Sequence, residues 1–109
     1  MRYFYSWLDI REIDHGGQGK SFTRDIKGKK LHLCKFRLKR GLHIKKHNHP
    51  NEQITYVIKG SIKMRIGNET MAMKSGDVAY VPSFSDHEIK VLEDTVGIDS
   101  FTPIRIYDE

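Results

Sequence analysis

The chain has 109 residues, below the length of about 150 residues that is typical of one domain, so a two-domain enzyme is excluded. Hydrophobic residues make up 38% and charged residues 30%, a balance that excludes the disordered class. The formal net charge of +5 permits an anionic partner without identifying one. No apolar run approaches the roughly 18 residues of a membrane helix, and the first ten residues do not resemble a signal peptide. We therefore expect a cytoplasmic protein without a membrane partner.

The first thirty residues show no regular hydrophobic pattern. An aromatic-rich start is followed by a glycine-rich stretch at 16–19, which we interpret as a turn because it lacks the lysine and helix of a phosphate loop. We expect residues 1–30 to form an extended arm that packs on a barrel built from residues 31–109, with one domain overall. Basic residues cluster at 26–30 and 37–46 with few aromatic residues between them, so we predict no nucleic-acid partner.

The remaining sequence has the pattern of short strands and turns that is typical of an all-β protein. Short runs rich in β-branched and aromatic residues recur about every ten residues, separated by turns, which is typical of a sandwich or barrel. In the clearest run, Ile62–Ile66, apolar residues alternate with basic ones, and Gly67-Asn68 follows as a two-residue turn. The single cysteine, Cys34, lies in the apolar run LHLCKF, and we predict that it is a buried core thiol rather than a nucleophile.

Histidines provide the first chemical signal. His47 and His49 are two residues apart, so in a β-strand their imidazoles would point to one face and supply half of a metal site. Gln53 opens the next predicted strand, and His87 opens a strand far downstream. Three imidazoles and one amide oxygen would complete a four-ligand site.

These residues carry a family resemblance. The segment Gly41-x5-His47-x-His49-x3-Gln53-x6-Gly60 resembles the first cupin motif, and Gly76-x5-Pro82-x4-His87 resembles the second. The resemblance implies an all-β jelly-roll barrel, the cupin double-stranded β-helix, with a metal ion held by His47, His49, Gln53 and His87. The alternative is a metal-free cupin whose polar residues only line a cavity.

This sequence departs from the cupin pattern at three positions. Gln53 replaces a glutamate, while Phe84 and Val91 replace a glycine and an asparagine. The neighbouring Glu52 is out of register, and strand alternation would turn it away from His49. A neutral amide in place of a carboxylate leaves more of the ion's positive charge, which favours binding of an anion. The ligand set suits a divalent transition metal, and the sequence does not choose among Zn, Ni, Co, Fe and Mn.

A second group of candidate residues lies near the C-terminus. Strand alternation would place Asp99 and Phe101 on one face. Asp99 is either exposed at a sheet edge, or paired with Arg105, or has a function. The run Asp99-x-Phe101-x-Pro103-x-Arg105, together with HPNEQ at 49–53, is similar to the pectin-degradation cupins, which open unsaturated uronates to linear keto-uronates. The resemblance implies that Asp99 moves a proton, that Arg105 and the metal hold substrate oxygens, and that Phe101 packs against the sugar ring.

Other functions remain open at this point. A cupin oxygenase, a sugar isomerase or epimerase, and a non-enzymatic module that binds a carboxylate ligand all fit the same motifs. The expected partner in each case is a small anionic sugar or carboxylate. We also expect a homodimer, because the strand face that bears Ile54, Tyr56 and Ile58 needs cover, which the N-terminal aromatic arm could supply.

Overall fold

The structure, a computed structural model, describes residues 2–107. Within that range the chain forms two short 3-10 helices, Trp7–Asp9 and His15–Gly17, and ten strands. The strands are β1 (Ile13–Asp14), β2 (Ser21–Lys27), β3 (His32–Leu38), β4 (His43–His47), β5 (Glu52–Lys59), β6 (Ser61–Ile66), β7 (Glu69–Lys74), β8 (Val78–Val81), β9 (His87–Val91) and β10 (Thr95–Thr102). No helix in the described part of the chain is long and apolar enough to cross a membrane.

The strands form two antiparallel sheets. The larger sheet has the order β1-β2-β3-β10-β5-β8, and the smaller sheet has the order β4-β9-β6-β7. Alternation drives this arrangement, because every second residue of β3 and β5 is buried between the sheets and the others face outward. The predicted all-β jelly-roll fold is confirmed.

The inner face of the larger sheet consists of cross-strand rows that differ in polarity. Strand pairing aligns the rows His32–Phe101–Gln53, then Asp25–Cys34–Asp99–Thr55, then Thr23–Phe36–Gly97–Val57. Polar groups thus concentrate in the first two rows. In the third row Phe36 fills the space above Gly97, where an added Cβ would collide with the Phe36 ring.

The apolar core lies between the two sheets. Val57 and Val81 of the larger sheet face Ile62, Met64 and Ile89 of the smaller one, and all five are buried. Cys34 belongs to the same cluster, with 1% of its surface exposed, so the prediction of a core thiol is confirmed. Burial also raises the pKa of this thiol far above its usual range, which removes it as a nucleophile.

The first thirty residues contribute to the larger sheet as well as to an arm. Strand β2 pairs with β3 along its whole length, and Arg24 of β2 donates to the carbonyl oxygens of Trp7 (3.0 Å) and Ile10 (2.6 Å). Phe4, which precedes these anchored residues, and Leu8, which lies between them, are 87% and 86% exposed. The division of the chain at residue 30 stays a prediction, although residues 21–27 are an integral strand.

Candidate metal site and ligand pocket

A cavity of about 370 Å³ opens between the two sheets. Its wall includes the imidazoles of His47, His49 and His87, and Gln53 lies beside them. Asp99, Phe101 and Arg105 line the same cavity. The structure therefore brings together all seven residues that the sequence marked as candidates, and their individual roles stay predictions.

A β-bulge in β4 decides which way His47 points. Ile44 pairs with Ile89 and His47 pairs with His87, so β4 has one residue more than β9 between these two pairs. In a regular strand, residues three apart face opposite sides, and His47 would point away from the core that Ile44 joins. The extra residue reverses this parity and turns both side chains inward.

The expectation that His47 and His49 share one strand is wrong in detail. Strand β4 ends at His47, and His49 lies in the following loop. The loop is fixed by its neighbours, since the backbone N–H of Phe84 donates to the carbonyl oxygen of His49 at 2.8 Å. His49 is 5% exposed and still faces His87, with ring centroids 4.8 Å apart. His87 opens β9, as predicted.

The three imidazoles make the same kind of hydrogen bond at Nδ1. The Nδ1 of His47 lies 2.9 Å from the carbonyl oxygen of Lys45, that of His49 lies 3.2 Å from the carbonyl oxygen of Asn51, and that of His87 lies 2.9 Å from the carbonyl oxygen of Ser85. A carbonyl oxygen only accepts, so a ring that donates at Nδ1 keeps its lone pair on Nε2 when it is neutral; His49 also has a second acceptor, Gln53 Oε1, at its Nε2. Metal-binding histidines are oriented by such second hydrogen bonds.

Of the three imidazoles, the two that are buried, those of His49 and His87, are neutral at neutral pH. Burial lowers the pKa of His87 to about 4, and the neighbouring His47, His49 and Arg105 charges act in the same direction. Burial and the Arg105 charge also lower the pKa of His49. These rings are therefore lone-pair donors rather than cations, which is the form that binds a metal ion.

Gln53 supplies the observation that tests whether a metal ion fits. Its amide nitrogen donates to the Thr55 hydroxyl (2.9 Å) and points at a carboxyl oxygen of Asp99 (3.4 Å), which fixes the amide orientation. Its oxygen then lies 3.0 Å from Nε2 of His49, so a neutral His49 has one proton for two acceptors, this oxygen and the carbonyl oxygen of Asn51. With that proton on Nδ1, two lone pairs face each other, and a cation among these donors resolves the conflict. The donor set of three imidazoles and an amide oxygen fits a divalent transition metal.

Asp99 is held on the inner face of β10, beside the metal ligands. The Thr55 hydroxyl donates to its Oδ1 at 2.6 Å. Burial raises the pKa of Asp99 from the ordinary 3.8 to about 6, and these hydrogen bonds only partly oppose the increase. No ion pair joins Asp99 to Arg105 among the described residues. Strand β10 lies between β3 and β5, so Asp99 is not at a sheet edge either, and both non-functional alternatives are wrong.

Phe101 and Arg105 continue the same wall of the cavity. The Phe101 ring lies 6.0 Å from the His49 ring and 5.2 Å from the His32 ring, centroid to centroid. The Arg105 guanidinium lies 5.4 Å from the centre of the Tyr107 ring, and its charge lowers the pKa of His49. The cavity thus has a cation close to the imidazole cluster.

Sequence reasoning missed the network that holds the C-terminal segment in place. Asp25 accepts hydrogen bonds from His32 Nε2 (2.6 Å), the Thr23 hydroxyl (2.8 Å) and the Tyr107 hydroxyl (3.0 Å). The backbone N–H of Arg105 donates to the other nitrogen of His32 at 3.1 Å. Strand alternation could have indicated this network. The inward-facing positions two apart are Thr23 and Asp25 in β2, and His32 and Cys34 in β3.

Burial alone would raise the pKa of Asp25, but its hydrogen bonds to His32, Thr23 and Tyr107 outweigh burial and lower it. His32 accepts at Nδ1 and donates at Nε2, so the pair with Asp25 consists of a carboxylate and a neutral imidazole. The network is fully hydrogen-bonded, and it fixes the backbone on which Arg105 is carried.

Solved structures with the same fold place these features in context. The chain superimposes with a TM-score of 0.88 on an RmlC-like cupin from Shewanella frigidimarina, at 23% identity over 96% of this chain and 94% of that one. It superimposes with a TM-score of 0.86 on KdgF from a Halomonas species, at 23% identity over 96% of both chains. A variant of oxalate decarboxylase from Bacillus subtilis gives a TM-score of 0.79 at 23% identity, and the chain spans 29% of that longer protein.

Sequence comparison is consistent with this likeness. A search of curated protein sequences found no significant match. The sequence does match the cupin domain family over residues 35–97, which is more than half of the chain and includes all four candidate metal ligands. The chain belongs to the cupin family.

Proposed function

We propose that this chain is a metal-dependent cupin that opens the ring of an unsaturated uronate and yields the linear keto-uronate. The observation that carries the proposal is the carboxyl group of Asp99, buried beside Gln53 in the cavity that also holds the three imidazoles and Arg105. The fold likeness to KdgF and the tail pattern Asp99-x-Phe101-x-Pro103-x-Arg105 support the same reaction class.

The proposed metal ligands are His47, His49, Gln53 and His87. A divalent ion bound there would polarise a ligand oxygen as a Lewis acid. All four ligands are neutral, so they leave the positive charge of the site uncompensated and favour an anionic ligand. Manganese(II) centres are described for oxalate decarboxylase. For this chain we propose a divalent ion of a first-row transition metal: Zn, Ni, Co, Fe or Mn.

Asp99 is the proposed proton-transfer group. Thr55 and Gln53 both direct their donors at Oδ1, which leaves Oδ2 for a ligand. In the proposed reaction Asp99 accepts the proton of the anomeric hydroxyl as the bond between the anomeric carbon and the ring oxygen breaks, which leaves an aldehyde and an enol. A proton is then delivered to the double-bond carbon that does not carry the former ring oxygen, and the enol becomes the ketone. The product is an isomer of the substrate, so no oxidant or water is consumed. Burial raises the pKa of Asp99 and a divalent ion bound nearby would lower it, so in the loaded protein Asp99 is suited to accept a proton first.

Arg105 and Phe101 are the proposed binding residues. A guanidinium holds a carboxylate through two parallel hydrogen bonds, and Arg105 reaches the cavity near His49. Phe101, 4% exposed and packed on His32 and His49, offers a rigid apolar surface for the sugar ring. The network around Asp25 would keep both side chains in place when the ligand is absent.

The test uses metal-loaded protein and an unsaturated galacturonate, with loss of the absorbance of the conjugated double bond as the readout. Wild-type protein is expected to turn the sugar over, and Asp99→Asn is expected to lose at least about 100-fold in rate at unchanged metal content. Full turnover by Asp99→Asn would refute its role. Oxygen consumption by an iron-loaded sample would instead favour a cupin oxygenase, and tight binding without turnover would favour a ligand-binding module.

We also propose that the active form is a homodimer. Ile54, Tyr56 and Ile58 on β5 are 49%, 42% and 41% exposed, and the adjoining Val78 and Tyr80 on β8 are 61% and 53% exposed. Pairing places Ile54 next to Tyr80 and Tyr56 next to Val78, so these side chains form one continuous apolar patch. A second copy, with its exposed N-terminal aromatic residues, is the proposed partner.

A further inference from the structure

A lysine from the smaller sheet lines the cavity, and none of the roles above uses it. We infer that Lys45 binds the anionic group of the ligand at the mouth of the cavity and makes the site selective for anionic over neutral sugars. The inference rests on this cavity being the ligand site proposed above. It adds to the proposed function a residue that sets ligand class.

The bulge in β4 gives Lys45 its direction. Between the pairs Ile44–Ile89 and His47–His87, β4 has both Lys45 and Lys46 where β9 has Glu88 alone. Bulges change the direction of side chains next to functional sites. Lys45 lines the cavity and Lys46 does not, although both are exposed and adjacent.

The ammonium group of Lys45 is not used in an ion pair. Within residues 2–107, no carboxylate lies within ion-pair distance of it. Glu88, across the strand pair, is bonded instead to His43. A hydrogen bond from His43, then the charges of His43, Lys90 and Arg65, lower the pKa of Glu88. Lys45 thus lines the cavity without an ion-pair partner among the described residues, and its ammonium group can bind a ligand.

The charges around the cavity are unequal. Among the described residues that line it, the lysine and the arginine are Lys45 and Arg105, and the one carboxylic acid is Asp99. Lys45 comes from the edge strand of the smaller sheet, while Arg105 follows β10 of the larger sheet. A ligand between the sheets thus meets cations from both sides, which attracts and orients an anion.

The experiment compares Lys45→Met with Lys46→Met, which remove the same charge from neighbouring positions of one bulge. Isothermal titration calorimetry of the metal-loaded proteins measures binding of galacturonate and of galactose, its neutral counterpart without the carboxylate. We expect Lys45→Met to weaken galacturonate binding about tenfold and to leave galactose binding within twofold. Lys46→Met is expected to bind both sugars within twofold of wild type. Metal content and the melting temperature of each variant verify that the site is intact.

Equal weakening by both variants would overturn the inference, because it would show a general effect of surface charge. Unchanged galacturonate binding by Lys45→Met, or no galacturonate binding by wild type, would also overturn it. The assay needs no turnover, so its outcome is separable from that of the proposed reaction. Lys45-dependent binding without ring opening would refute the reaction and support the role of Lys45. Ring opening with the same KM in wild type and Lys45→Met would support the proposed reaction and refute the role of Lys45.

Discussion

Asp25 and Asp99 lie in the same cross-strand row, on either side of Cys34, and the structure predicts opposite effects for their conversion to asparagine. Burial raises the pKa of Asp99 from 3.8 to about 6. Each unit of pKa corresponds to about 1.4 kcal/mol, so ionising Asp99 in the folded, metal-free protein costs about 3 kcal/mol of stability. An asparagine at this position carries no such charge. Asp99→Asn should therefore stabilise the metal-free protein above pH 6 while it removes turnover of the loaded protein.

The sign of the pH dependence follows from proton binding. Between pH 3.8 and pH 6 the folded state binds more protons at Asp99 than the unfolded state, so wild-type stability falls as pH rises through this window. The stability advantage of Asp99→Asn should be near zero at pH 3 and should reach about 3 kcal/mol at pH 7.5. Urea unfolding of chelator-treated wild type and variant across this range measures the difference directly. His87 is present in both proteins, so its titration largely cancels in the difference between their free energies of unfolding.

Asp25→Asn is the matched control. Its hydrogen bonds outweigh burial and hold the pKa of Asp25 below the ordinary value, so ionised Asp25 stabilises the fold above pH 3.8, and that contribution is lost as pH falls through the folded pKa. Asp25→Asn should destabilise the protein by about 1–3 kcal/mol at pH 7.5. A gain from Asp99→Asn that does not vary with pH, or a loss at pH 7.5, would refute the reasoning about Asp99.

Other parts of the structure give four further predictions. Phe84 has φ of 61°, so Phe84→Gly should raise the free energy of unfolding by about 1 kcal/mol in urea titrations, and a decrease would contradict the strain. Gly97→Ala should lower it by about 1–3 kcal/mol, because the added Cβ meets both the Phe36 ring and the backbone carbonyl oxygen of Tyr56; wild-type stability would contradict this clash. Tyr56→Lys should shift the mass from dimer to monomer in size-exclusion chromatography with light scattering, whereas a monomeric wild type would refute the dimer. His87→Ala should abolish the stabilisation that added metal gives wild type, read as a shift of melting temperature; an undiminished shift would exclude His87 as a ligand.

The fold and the imidazole cluster were predictable because their signals are local. Alternation in Ile62–Ile66 marks β6, and the motif glycines mark turns, since Gly41, Gly60 and Gly76 all have positive φ. The backbone conformation agrees with the motif even at one position where the residue type departs from it. Phe84 stands where the cupin motif has glycine, and its backbone retains the left-handed conformation that glycine favours.

The bulge and the buried network were not predictable because their causes are distant in sequence. The position of the extra residue in β4 depends on how that strand pairs with β9, more than forty residues later, and the sequence HIKKH alone does not reveal it. Asp25 binds Tyr107 across a separation of 82 residues, and His32 binds Arg105 across 73. An aspartate in a strand predicts burial with partners, but it does not identify those partners.

The contrast between Asp25 and Asp99 bears on the function as well as on stability. Three donors, including an imidazole, stabilise the carboxylate of Asp25, and it anchors the segment that carries Arg105. Asp99 is offered one short hydrogen bond from Thr55 and one long one from Gln53, and it keeps an oxygen directed at the cavity. A residue selected only for packing at this position would be apolar, because ionised Asp99 destabilises the fold. The carboxyl group of Asp99 lies beside a proposed metal ligand and has no ion-pair partner among the described residues, which fits a proton-transfer role.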